Sequence, residues 1–159
     1  MGPIYDQLPT SKGGLWLAFF IFITLSTGFL LVMKVCDFMI IDEMYKSDDI
    51  IAHIQNMSAA QKSAHIWTTA TLDVAYPFSY AALFGGLTVT AFPHQKWLAL
   101  PILICVPFDL IEGVTQIALL NDQFDWVLIK QVVTPIKFIL LILGAIIGLV
   151  SLVRLSEPD

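Results

Sequence analysis

Apolar and polar positions fall along this chain in long blocks. Leu15 to Met33 is apolar and uncharged, Thr68 to Phe92 and Trp97 to Leu120 are two further apolar stretches, and Trp126 to Val153 is a fourth. Each is long enough for the roughly 20 helical residues that cross a hydrocarbon core of about 30 Å. The pattern predicts four membrane spans, at about 15–33, 68–92, 97–120 and 126–153, in one transmembrane domain over 1–159. Pro93-His94-Gln95-Lys96 separates the second and third spans, and Pro93 stops a helix there, so the two are antiparallel neighbours. Asn121-Asp122-Gln123 separates the third from the fourth, which is left at Arg154. Trp16, Trp67, Trp97 and Trp126 each stand within a residue or two of a predicted span start, where a half-solvated indole prefers the headgroup layer. Span one is too long for a signal-peptide core and lacks an A-x-A-like cleavage site, so it is read as retained.

Only the connection between spans one and two is long. Ser47-Asp48-Asp49 reads as a helix N-cap with acids in the first turn, and Ile50, Ile51, Ile54 and Met57 follow at helical spacing. This predicts an amphipathic helix over about 47–57, lying on the headgroups, with a lid over a site beneath as the alternative. Ser58-Ala-Ala-Gln61 has capping-box spacing, so a further helix starts there and runs into span two. The expected fold is therefore all-α: an integral membrane four-helix bundle with an amphipathic helix in its first long loop.

Composition agrees, since 57% of residues are apolar and 13% charged, about half the charged share of a soluble domain. The net charge is −5 with no basic run, which argues against nucleic acid as a partner. Cys36 and Cys105 form no C-x-x-C, which excludes a disulfide framework and argues against a thiol relay. No Walker, dinucleotide, haem or serine-hydrolase signature occurs, so no cofactor is expected. His53, His65 and His94 lack paired-ligand spacing and read as interfacial residues, so no metal is expected either. Lys12, Lys96 and Arg154 fall on one side of the membrane and Lys34, Lys46, Lys62 and Lys130 on the other; the favoured orientation has both termini in the cytoplasm.

The candidate chemistry lies within the spans. Asp73, Asp109, Glu112 and Lys137 are ionisable groups inside predicted membrane helices, where each costs on the order of 2.5–3.5 kcal/mol, so they form a site hypothesis. At about 1.5 Å per residue from the long-loop face, Asp73 lies near 8 Å, Tyr76 and Glu112 near 12 Å, Asp109 and Lys137 near 16 Å and Tyr80 near 18 Å. Asp73, Tyr76 and Tyr80 share one helix face, as do Asp109, Glu112 and Gln116, and Lys130, Thr134 and Lys137 form a third stripe. Thr24 and Thr27 of span one reach the same depth. In a bundle these faces turn inward and make a polar pocket open toward the long loop, with Asp73, Asp109, Glu112 and Lys137 as acid-base groups and Tyr76, Tyr80, Gln116, Thr134, Thr24 and Thr27 as ligand-binding groups.

Pro77, Pro107 and Pro135 leave the carbonyls of Asp73, Leu103 and Gln131 without their helical donors, and broken helices at this depth commonly line a cavity. Three carboxylates against one ammonium leave a buried charge of about minus two, so at least one carboxyl is expected to be protonated, with Lys137 paired to Asp109 or Glu112. Gly144-x-x-x-Gly148, with Ala81-x-x-x-Gly85 and Ala82-x-x-x-Gly86, permits close helix approach, either inside the bundle or in a homodimer through Gly144 and Gly148.

Asp73-Val-Ala-Tyr76-Pro77-Phe-Ser-Tyr80 resembles the D-x-x-[FY]-P-x-x-Y segment of an uncharacterised family of small four-span bacterial membrane proteins. Asp109-Leu-Ile-Glu112 is similar to that family's D-x-x-E-N, with Gly113 in place of the Asn, and Lys137-Phe138 to its K-W. The resemblance runs from about Ser58 to the C-terminus and implies a bacterial inner (cytoplasmic) membrane; it brings no activity with it. Three functions are compatible with the residues: a pocket that binds, and by acid-base chemistry transforms, a small amphiphile or lipid, which is the preferred reading; a proton-coupled carrier; and an accessory subunit whose buried charges only hold the bundle together.

Overall fold

The structure, a computed structural model, describes residues 3–44 and 46–157. Five helices carry the chain: α1 (Lys12–Cys36), α2 (Ser47–Asn56), α3 (Ala59–Ala91), α4 (Lys96–Leu120) and α5 (Phe124–Ser156). All but α2 are long and apolar enough to cross a membrane, so the protein is an all-α helical bundle of the integral membrane type.

α1 and α3 start earlier than hydropathy alone suggests, because capping chemistry sets their first turns. Ser11 caps α1, its hydroxyl accepting the Gly14 N–H at 3.1 Å. Ser58 and Gln61 form the reciprocal capping box, with Gln61 Oε1 accepting from the Ser58 N–H at 2.9 Å, so α3 begins at Ala59. Trp67 is exposed, and the turns before it support the connection, with Gln61 Nε2 donating to the Asp37 carbonyl. Two π turns, Thr69–Asp73 and Ala81–Gly85, flank Pro77 in α3. Each inserts a residue and re-aims the side chains around it, a feature that hydrophobic periodicity does not reveal. α4 and α5 continue through Pro107 and Pro135 without a break, contrary to the expectation of interrupted helices.

Small residues let the helices close on one another. A Cβ at Gly144 would fall 2.6 Å from Ile102, and one at Gly148 would fall 2.6 Å from the Phe84 ring. Both glycines are thus filled from within the chain, which is the internal-packing use of the motif. Gly86 is covered by the Pro9 carbonyl and Gly85 by Leu8, which fixes the segment before α1 against α3. α1 is the least engaged span, with Ala18 its one buried residue.

The connection is the part that sequence placed least well. α2 forms as expected, but Ser47 is its first residue and not its cap; its hydroxyl instead accepts from Gln131 Nε2 at 2.8 Å, tying α2 to α5. Ile50 and Ile54 are fully buried with Ile41 against Leu119, Leu120 and Val127, the facing ends of α4 and α5. α2 therefore turns its apolar face onto one end of the bundle and plugs it. Trp126, expected as a half-solvated ring, is half-buried and packs into the same cluster.

Candidate functional site

α3, α4 and α5 each turn a polar stripe inward at the plugged end, and the stripes meet. Lys137 Nζ of α5 stands 3.1 Å from Asp109 Oδ1, touches Glu112 Oε2 and stands 2.9 Å from Asp42 Oδ2. Glu112 is wholly buried; its Oε1 accepts from Lys130 Nζ at 3.0 Å and from the Thr134 hydroxyl. Lys130 Nζ also reaches Thr134 Oγ at 3.3 Å. The Tyr80 hydroxyl donates to Asp109 Oδ2 at 2.9 Å and lies 3.1 Å from Cys105 Sγ, whose S–H donates to the Lys137 carbonyl at 3.4 Å. Gln116 donates to Asp42 Oδ1. The result is one continuous ionic network, from the middle of the bundle to the connection.

Several expected residues take their places in it: Asp109, Glu112, Lys137, Tyr80, Gln116 and Thr134. Tyr76 is adjacent, packed edge-on to Tyr80 with ring centroids 5.8 Å apart and hydrogen-bonded to Ser26 Oγ at 3.3 Å. Asp73 is half-buried at the edge; it makes no hydrogen bond or ion pair among the described residues, and its Oδ2 would lie 3.7 Å from a Cβ at Gly113. Thr24 and Thr27 are exposed and belong to the outer face of α1. The hydroxyl that α1 turns inward is Ser26, because α3 meets α1 along Phe22, Ser26 and Phe29, all three against Tyr76.

Two participants were not anticipated as site residues. Lys130 was counted among the loop-side lysines, yet it has no exposed surface and is paired to Glu112. Its spacing to Thr134 and Lys137 was the available signal. Asp42 comes from a turn (Ile41–Glu43) in the connection, and no periodicity could have brought it there. Among the paired groups the balance is now three carboxylates, Asp42, Asp109 and Glu112, against two ammoniums, one charge short of neutral when all are ionised. His65 is also buried, where an interfacial position was expected: it stacks on Phe38 with centroids 4.8 Å apart, and neither ring nitrogen has a hydrogen-bond partner. No group of three residues able to hold a metal occurs among those described.

The network is closed. Asp109, Glu112, Lys130 and Lys137 are all buried, so the expected open pocket is a packed cluster with Asp42 and the α2 plug as its cover. Burial works against the charge on Asp42, but Lys137 and Lys130 outweigh it and hold its carboxyl below the usual range. A carboxylate with a lowered folded-state value contributes docking free energy that is complete above about pH 3.9 and lost as pH falls through the lowered value. Asp42 by itself therefore keeps its full contribution at pH 5 and loses it only below about pH 4, whereas His65, pushed down to about 4 by burial, weakens the closed form as pH falls from about 6.5. In a His65→Phe variant, hydrogen exchange of the α2 amides should rise only below about pH 4, and opening between pH 5 and 7 there would contradict the Asp42 assignment. Comparison of the chain with family models, with curated proteins and with solved structures finds no match.

Proposed function

We propose that this protein binds the acidic head of a small amphiphile, such as a lipid or isoprenoid, at the charged cluster, and that the connection is the lid of that site. The observation that carries the reading is Asp42: a carboxylate from outside the spans, held inside the bundle by Lys137 at 2.9 Å and by Gln116. Without Asp42 the cluster holds Asp109 and Glu112 against Lys130 and Lys137, and a ligand carboxylate or phosphate in its place restores the same charge balance. Burying this many ions is an expensive way to hold helices together, since well-packed apolar residues do so at least as well. Asp109, linked to both the Tyr80 hydroxyl and Lys137, is placed for acid-base work on a bound head. The resemblance described above supports a bacterial inner membrane. With Lys130 withdrawn from the loop-side count, the flanking positive charges stand three against three, and both termini are assigned to the cytoplasm as part of this proposal.

Amphiphiles that co-purify with the protein in mild detergent, extracted and identified by mass spectrometry, test the idea. Asp42→Ala is expected to retain an acidic species at close to one per chain, more than the native protein does, and Lys137→Gln to lose it. Equal recovery from all three would sink the proposal. A proton-coupled carrier is the second reading, favoured by the unbroken chain Tyr80–Asp109–Lys137–Asp42 from mid-bundle to lid. Proton uptake in liposomes that disappears with Asp109→Asn would select it. A purely structural cluster would show neither ligand nor uptake.

A further inference from the structure

The other end of the bundle, where Lys12 and Ser156 lie, contains a second feature independent of the charged cluster. α1 and α5 flank an open cavity of about 740 Å³ whose floor is α3 at Leu83 and Leu87. That volume lies within the roughly 300–1,000 Å³ of ordinary ligand sites. Its walls are apolar; Thr10, Lys12, Thr90 and Ser156 supply the polar groups of its lining. At the deep end Phe22 and Phe84 meet edge to face, with centroids 5.9 Å apart, and shut it off from Tyr76. From Lys12 to Phe22 the helix rises about 15 Å, half of a hydrocarbon core of about 30 Å. The cavity is thus one leaflet deep.

The charges at its mouth are unequal in their engagements. Lys96 is paired with Asp6 at 3.3 Å, and Arg154 sits over the Phe92 ring at 4.6 Å. Lys12, which lines the cavity itself, has no ion pair or hydrogen bond among the described residues and is exposed. We propose that this groove holds one acyl chain of an anionic phospholipid from the adjacent leaflet, with the lipid's headgroup paired to Lys12. Lys12, the rim cation with no ion pair, hydrogen bond or ring contact among the described residues, and the leaflet-deep apolar slot beneath it match the two ends of such a molecule.

Native mass spectrometry of the delipidated, detergent-solubilised protein tests the assignment, with phosphatidylglycerol and phosphatidylcholine supplied at equal concentration. One phosphatidylglycerol per chain should bind about fivefold more tightly than phosphatidylcholine, the factor that one lysine near an anionic head supplies. Lys12→Gln should abolish that preference while chain binding persists. Leu152→Trp fills the groove from an exposed position on α5 and should remove the bound lipid, whereas Leu128→Trp, also exposed on α5 but outside the groove, should not. The proposal is overturned by the same occupancy in Leu152→Trp as in the native chain, by no headgroup preference in the native chain, or by a protein dimer that forms through the groove in place of lipid.

Discussion

Replacing Glu112 by Leu is expected to destabilise the bundle by about 3–5 kcal/mol, the cost of stranding the partner of a buried ion pair. Lys130 has no exposed surface, and without Glu112 it keeps one partner, the Thr134 hydroxyl at 3.3 Å. Lys137 suffers less, because Asp109 and Asp42 still face it at 3.1 and 2.9 Å. Adding Lys130→Met to Glu112→Leu should therefore recover most of the loss, since the pair is then removed together and replaced by apolar volume. Loss of helical ellipticity on titration of detergent micelles with SDS measures both variants. If the double variant is no more stable than the single one, Lys130 is not the residue stranded by the substitution.

The plug offers the other large effect, and it is local. Ile54 is fully buried on α2 against the ends of α4 and α5, so Ile54→Ala should cost about 2–5 kcal/mol. That energy belongs to docking of the connection, because α1, α3, α4 and α5 keep their own contacts when α2 lifts. At about 3 kcal/mol the open population rises roughly a hundredfold. Exchange of the α2 amides should accelerate accordingly, and Cys105, buried one turn from Asp109, should become reactive to a small thiol reagent in a Cys36→Ser background. A variant that melts globally with no gain in Cys105 labelling would make the plug an integral part of the bundle and remove the lid from the functional proposal.

The two substitutions separate the roles of cluster and cover. Glu112→Leu attacks the fold because its partners lie on spans that cannot separate in lipid without exposing charge. Ile54→Ala attacks access only, because α2 is held by apolar contacts, the Ser47–Gln131 hydrogen bond and the Asp42 ion pair. A site that must admit an amphiphile needs this kind of division, with a stable charged floor and a cover of lower stability.

Much of this protein is legible without coordinates, since lipid as a solvent leaves few choices. A backbone in hydrocarbon must satisfy its own hydrogen bonds, so apolar runs as long as those in α1, α3, α4 and α5 become spanning helices. Ions such as Asp109 and Glu112, three residues apart on one helix face, and Lys137 on the next helix must turn away from lipid and toward one another. Capping at Ser58 and Gln61 is equally local, and it appears as the spacing indicates. What only the tertiary structure decided depends on which face meets which. Span one turns Ser26 inward and leaves Thr24 and Thr27 outside, because close packing on Tyr76 selects one strip of a helix that is apolar all round. Asp42 enters the cluster because the isoleucines of α2 find the ends of α4 and α5, a contact between segments more than sixty residues apart that no local pattern encodes. The same contact closes what helix periodicity alone had left as an open pocket.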